Sequence, residues 1–264
     1  MNAHDEGSPE GINPNEPSIA RVYDYALGGK DNFAADREMG DRVMELMPEI
    51  PLMARHNRLL LGRVVRFLAG EAGIGRFLDI GAGLPTMENV HEVAQAIRPE
   101  AKVVYVDNDP VALAHARALL ATTGDTHVLD ADMYEPERIL AEADSLMDLD
   151  QPVAVMMLSM LHFVPDEDAH RIVRTVMDGV PAGSYLAISH FGDTPRARKA
   201  TSFYRASGAQ VVPRTPEQVA EFLNGLDLVP PGVVSLPEWR PDKSVPEVDL
   251  MGPMAMVCGV GRKP

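Results

Sequence analysis

Apolar residues recur along the 264-residue chain in two rhythms, and the change between them falls near residue 70. From Asp36 to Met47 and from Met53 to Ala69 they return every third or fourth position, which predicts two amphipathic helices parted by Pro48 and Pro51. A shorter helix comes first, opened by Ser18 and stopped at Gly28-Gly29. Beyond it, short apolar runs alternate with helical stretches. The runs are Arg76 to Ile80, Lys102 to Val106, Thr126 to Asp130, Val153 to Leu161 and Ser184 to Phe191. Helices are expected between them, from about Met87 to Ile97, from a cap at Asp109 to Leu120, from Glu135 to Ala143 and from Asp166 to Met177. Alternation of this kind builds an α/β fold, a parallel sheet with helices on both faces. Later the pattern predicts a basic helix from Arg196 to about Ser207 and a helix to Asn224 opened by the capping box Thr215-Pro216-Glu217-Gln218. Strands at Gly232 to Pro237 and Pro253 to Gly261 finish the chain. Residues 1–16, rich in Gly, Pro, Asn and acids, read as a disordered leader. Residues 17–70 read as a helical cap that forms one globular unit with the sheet domain of 71–264.

The chemistry is written at the ends of the first two strands. Phe77-Leu78-Asp79-Ile80 runs into Gly81-Ala82-Gly83-Leu84-Pro85-Thr86, and Val103-Val104-Tyr105-Val106 runs into Asp107-Asn108-Asp109-Pro110. A glycine turn between strand and helix lets the backbone approach a ligand, and an acid closing the next strand can take both hydroxyls of a ribose. Together they point to an adenosine-type cofactor. A dinucleotide site wants a third glycine where the helix start receives a pyrophosphate, but Thr86 stands there, behind Leu84 and Pro85. A bulkier turn suits a ligand without a pyrophosphate, and S-adenosylmethionine is such a ligand.

Composition narrows the partners. A formal charge of −15, from 39 acids against 24 Lys and Arg, disfavours nucleic acid, whose phosphates would meet a repulsive field. The single cysteine, Cys258, permits no intramolecular disulfide and sits in an apolar stretch that reads as a strand. The longest uncharged apolar run, Val153 to Val164, is too short to span a bilayer, and the N-terminus lacks the basic-then-apolar pattern of a signal peptide. The expectation is a cytoplasmic protein, monomer or homodimer, with no membrane partner and a small molecule as its substrate.

A longer pattern carries a resemblance. Tyr23-Asp24-Tyr25-Ala26-Leu27-Gly28-Gly29-Lys30-Asp31-Asn32-Phe33, Asp79 to Thr86, Asn89-Val90-His91-Glu92-Val93 and Val106 to Pro110 together resemble an actinobacterial family of S-adenosylmethionine-dependent methyltransferases, first described as a domain of unknown function. The resemblance runs from about Pro17 to the C-terminus. It implies the class I methyltransferase fold, a Rossmann-like seven-stranded sheet, mostly parallel, whose last strand inserts antiparallel. It leaves the methyl acceptor open. On that likeness Asp79, Gly81 and Gly83 line the methionine half of the cofactor, although Asp79 could instead hold the turn's own amides. Asp107, with Asn108 beside it, takes the ribose. Asp132 and Met133 meet the adenine, with Asp130 as a competitor two residues away.

Ser159 to His162 close the fourth strand, where open α/β sheets place chemistry, and Ser159 joins the cofactor contacts. If the acceptor must lose a proton, His162 or His190, at the end of the fifth strand, is the candidate base; the alternative for His162 is a half-buried ring bonding backbone. The Tyr23-to-Phe33 block is polar, aromatic and glycine-rich at once. It reads as a lid whose Tyr23, Asn32 and Phe33 face the cofactor, or else as a docking helix on the sheet's edge. His91 with Glu88 and Glu92 lies at helical spacing, but no second His or Cys completes a metal site. Arg196, Arg198, Lys199 and Arg205 read as a solvated basic face. Besides an enzyme, the sequence allows a regulatory or scaffold protein that binds S-adenosylmethionine without transferring its methyl. A nucleotide-dependent oxidoreductase is disfavoured by Thr86.

Overall fold

The computed structural model describes residues 12–85, 88–120, 124–206, 210–243 and 255–264. Thr86, the beginning of the helix expected at Met87, the first strand residues expected at Pro253, and most of the 1–16 leader lie outside them.

The central sheet carries strands β1 (Arg76–Ile80), β2 (Lys102–Asp107), β3 (Thr126–Asp130), β4 (Ala154–Leu158), β5 (Tyr185–Phe191), β6 (Asp227–Leu228), β7 (Val234–Ser235) and β8 (Met256–Arg262). Their order is β3-β2-β1-β4-β5-β8-β6, with β7 pairing β8. The first five strands run parallel, and β8 lies antiparallel between β5 and β6. The inserted antiparallel strand is therefore present as expected. The preceding strand is not the single run Gly232 to Pro237: it is split into the two-residue pieces β6 and β7 around Pro230-Pro231-Gly232. Proline cannot donate to a ladder, so pairing lapses there and resumes only at Val234.

Side chains alternate across the strands. Phe77, Val103, Ala154 and Ala187 pack on one face with α3 (Ile50–Arg66), α4 (Val90–Ile97) and α8 (Pro195–Ala206). Leu78, Val104, Val155 and Leu186 pack on the other, with α6 (Pro136–Met147), α7 (Asp166–Asp178) and α9 (Pro216–Glu221). Helix α5 (Pro110–Leu120) follows β2, with Asp109 Oδ1 accepting from the amides of Val111 and Ala112 as the expected cap. Helices α1 (Ile19–Leu27) and α2 (Ala34–Leu46) join α3 over the sheet; Val22, Met39 and Val43 belong to the same core as Phe77 and Met156. The N-terminal helices are thus continuous with the core of the sheet.

Ser18 stands at the start of α1 without capping it. Its hydroxyl donates instead to the Asp109 carboxylate, and its amide donates to Asp36 Oδ1 at 2.9 Å. Asp36, fully buried, also accepts from Arg21 Nε at 2.9 Å and from the Phe33 amide at 2.7 Å. Arg21 reaches the Asp109 carboxylate at 3.8 Å and lies over the Phe33 ring. This clasp ties α1 and α2 to the loop that follows β2.

Candidate active site

The glycine turn is held by the neighbouring strand. Gly81 and Ala82 both donate to the Val106 carbonyl, at 2.8 and 3.2 Å, so the turn sits against the end of β2. Gly81 has φ +81° and Gly83 φ +64°, the left-handed region that favours glycine. A Cβ on Gly81 would strike the Met160 thioether, and one on Gly83 would enter open space. The turn therefore presents bare backbone to a cavity of about 520 Å³, within the range of small-molecule sites.

Asp107 ends β2 with its carboxylate already oriented. Oδ2 accepts from the Gly83 amide at 2.7 Å and Oδ1 from the Asp109 amide at 2.8 Å. Burial raises its pKa, while those amides pull it back down. Asp79 is the opposite case. Its side chain is buried, no described residue hydrogen-bonds it, and burial pushes its carboxyl up to about 7 against the pull of Arg58. A buried acid without a donor beside a glycine turn suits an incoming ammonium group. Asp132 and Met133 line the same cavity. Asp132 accepts from Asn108 Nδ2 at 3.2 Å and from the Tyr134 amide at 2.9 Å, whereas its competitor Asp130 is exposed and faces Arg117. With one buried and one half-buried acid, bare backbone and a polar far end, the chamber fits a ligand carrying an ammonium, a ribose and an adenine.

Past β4 the chain turns sharply. Ser159 takes φ +59°, rare outside glycine, and its buried Oγ has no hydrogen-bond partner among the described residues. Its amide donates to Ser189 Oγ at 2.8 Å, and Ser189 Oγ donates to Asn57 Oδ1 at 2.6 Å. Asn57 Nδ2 donates to the Tyr23 hydroxyl at 3.1 Å, which donates to the Ala54 carbonyl at the same distance. This polar rung joins the cap to the strand ends beside the cavity. Tyr23 lines the cavity, but Asn32 and Phe33 do not. Asn32 Nδ2 binds Asp24 Oδ2 at 2.9 Å, and Phe33 packs with Leu84, Val111 and Ala112 behind the turn.

The two candidate bases part company. His162 lines the cavity and stacks on Phe191 with ring centroids 4.0 Å apart; its Nδ1 has no hydrogen-bond partner among the described residues. Burial, helped by His190 and Arg214, keeps its ring neutral, with the pKa well below the ordinary value. His190 lies outside the cavity. Its Nδ1–H donates to the Phe191 carbonyl at 2.8 Å, and its Nε2 accepts from Arg214 Nη1 at 2.7 Å, leaving no lone pair for a substrate proton. Burial lowers its pKa to about 3. Arg214 also donates to the carbonyls of Leu161 and Val164, so this pair pins the turn that carries His162. His91, Glu88 and Glu92 are drawn to separate partners. His91 Nδ1 meets the Tyr105 hydroxyl at 2.8 Å, Glu88 pairs with Arg66, and Glu92 accepts from the Asn89 amide.

Sequence reasoning missed Asn57, Arg58 and Met160. Asn57 and Arg58 follow Arg55-His56 on the apolar third helix, and Asn57 falls among buried positions such as Met53, Ala54, Leu60 and Leu61. A polar residue on the buried stripe of an amphipathic helix was the signal available.

The fold and this acid-and-glycine cavity define a methyltransferase with a Rossmann-like sheet. The chain belongs to the S-adenosyl methyltransferase family, which it matches over residues 5–264. It is similar to a candidate methyltransferase from Thermobifida fusca YX, with 44% identity, a TM-score of 0.91, and 97% of this chain and 98% of that one covered. It is also similar to a DUF574 family protein from Streptomyces avermitilis MA-4680, with 42% identity, a TM-score of 0.90, and coverage of 94% and 98%. Human N-acetylserotonin methyltransferase shares the fold alone, at 12% identity and a TM-score of 0.50 over 94% of this chain and 63% of that one. None of the curated proteins matches the sequence. The protein is an S-adenosylmethionine-dependent methyltransferase, and nothing favours the regulatory alternative. No helix among the described residues is long and apolar enough to cross a membrane.

Proposed function

We propose that the protein, in the cytoplasm and as a monomer or homodimer, methylates a small molecule held in the cavity between the strand ends and the N-terminal helices. The observation that carries this is the single cavity lined by Asp79, Gly81, Gly83, Asp107 and Asp132 on one side and by Tyr23, Ser159 and His162 on another. Bound S-adenosylmethionine supplies a methyl group on a sulfonium, an already good leaving group. Asp79 then holds the ammonium, Asp107 with Asn108 the ribose, and Asp132 with Met133 the adenine. The bare amides of the glycine turn let the ligand lie against the strand end. The protein's remaining task is to align the acceptor and exclude water, which in-line transfer rewards most. Transfer of that methyl to an acceptor hydroxyl or amine would require the acceptor to give up a proton. His162, neutral at physiological pH, is the base available for that proton. The cap with Tyr23 acts as a lid over the cavity.

Calorimetry with S-adenosylmethionine, followed by S-adenosylhomocysteine formation in an extract of small metabolites, tests this reading. Asp107→Ala should bind the cofactor at least about tenfold more weakly, the cost of losing a charged hydrogen-bond partner. Equal binding by both proteins would overturn the site assignment.

A further inference from the structure

The cavity is larger in purpose than the cofactor's contacts account for. Its cap side is lined by Val43, Met44, Ile50, Met53 and Leu61, and the sheet side contributes Phe163, Phe191 and Met256. Among the described lining residues drawn from the cap, Arg58 is the single charged one, and it is the cation acting on Asp79. The cap therefore offers an acceptor no counter-ion of its own. Of its polar groups, the Tyr23 hydroxyl and Asn57 are already joined through the rung to Ser189 and the Ser18 hydroxyl is bound to Asp109, whereas across the cavity, past β4, stands the Ser159 hydroxyl. Ser159 Oγ and His162 Nδ1, on two residues lining the same cavity, are both buried without a hydrogen-bond partner among the described residues. An unpaired buried hydroxyl costs free energy unless a ligand supplies the missing hydrogen bond.

Resting on the methyltransferase reading, we infer that the acceptor is an uncharged, mainly apolar molecule whose one nucleophilic hydroxyl or amine meets Ser159 and His162. With Asp79, Asp107 and Asp132 engaged by the bound cofactor and Asp109 tied to Ser18 and Arg21, a charged acceptor entering the apolar side of this chamber would lose its hydration without gaining a partner, a penalty that apolar contact does not offset. The lining methionines, unbranched and polarizable, accommodate apolar bodies of varied outline. Selection is then by charge and polarity more than by shape.

The test uses the full chain saturated with S-adenosylhomocysteine and three probes of one size: a neutral naphthol, naphthoate and naphthylmethylammonium. Fluorescence or calorimetry should show the naphthol binding at least about tenfold more tightly than either ion. Met44→Glu, at a partly exposed position, should weaken naphthol binding by about tenfold while cofactor affinity stays within about twofold, which also reports that the variant is folded. Equal or tighter binding of either ion, or naphthol binding indifferent to Met44→Glu, overturns the inference. Normal cofactor binding with no naphthol binding also overturns it. A protein that binds no cofactor at all fails the methyltransferase reading itself, a separate outcome.

Discussion

Asp79 and His162 are both buried ionisable groups, and burial drives them in opposite directions toward one result, a neutral side chain. For Asp79 the carboxyl is pushed from 3.8 up to about 7. The folded protein then binds the proton more tightly than the unfolded chain, so stability falls as pH rises between those two values and is level above them. Asp79→Asn should remove that slope and stabilise the ligand-free protein at pH 8 by about 1–4 kcal/mol, read by urea unfolding. The same substitution should abolish the expected gain in S-adenosylmethionine affinity between about pH 6 and pH 8, because ionised Asp79 is the form that attracts an ammonium. For His162 the depressed pKa leaves the imidazole neutral across that range. His162→Phe keeps the ring stacked on Phe191 and removes its nitrogens. We expect kcat to fall by about a hundredfold, with cofactor affinity unchanged, if proton removal limits the rate. An unchanged kcat would leave His162 as packing.

At the level of elements, the clasp of Ser18, Arg21, Asp36 and Asp109 joins the cap to the loop after β2. Arg21 is 4% exposed and Asp36 0%, so removing Asp36 leaves Arg21 buried without its direct partner and facing, among the described acids, only the Asp109 carboxylate 3.8 Å away. Asp36→Ala should cost about 3–5 kcal/mol of stability in denaturant unfolding. It should also weaken S-adenosylmethionine binding, since the Asp107-to-Asp109 loop loses its tie to the helices. Loss of stability with intact affinity would show that the cap only covers the sheet. The order of elements was legible in the sequence because each rests on local periodicity and on caps such as Asp109 and Thr215. The glycine turn and the acid closing β2 were legible for the same reason: strand, turn and acid lie within one βαβ unit. The clasp was not. It pairs residues 91 positions apart in sequence, Ser18 with Asp109, through a hydroxyl whose nearest local use was as a helix cap. His190 was equally opaque, because its position at a strand end suits catalysis, and only the distant Arg214 shows its nitrogens to be occupied. Asn32 and Phe33 share the cap's sequence signature with Tyr23, yet of the three only Tyr23, on α1, lines the cavity, while the loop after Gly28-Gly29 carries the other two to Asp24 and to Leu84.

For the molecule as a whole, charge and cavity act together on the cofactor. The chain carries −15 in formal charge, and Asp79, Asp107, Asp109 and Asp132 all line the chamber. S-adenosylmethionine bears a sulfonium, an ammonium and a carboxylate and is a net cation, whereas S-adenosylhomocysteine has lost the sulfonium charge. The field of the protein should therefore draw the donor in and hold the product less firmly, which favours turnover. Salt screens that field: the Debye length shrinks from about 30 Å at 0.01 M to about 10 Å at 0.1 M ionic strength. Stopped-flow binding should show the association rate of S-adenosylmethionine falling several-fold across that range. Its dissociation rate should change little, since steering acts on encounter more than on the docked complex. S-adenosylhomocysteine serves as the internal control, and its association rate should be nearly flat. If both ligands respond equally to salt, the net charge acts through the protein's own compactness and contributes nothing to selecting the methyl donor.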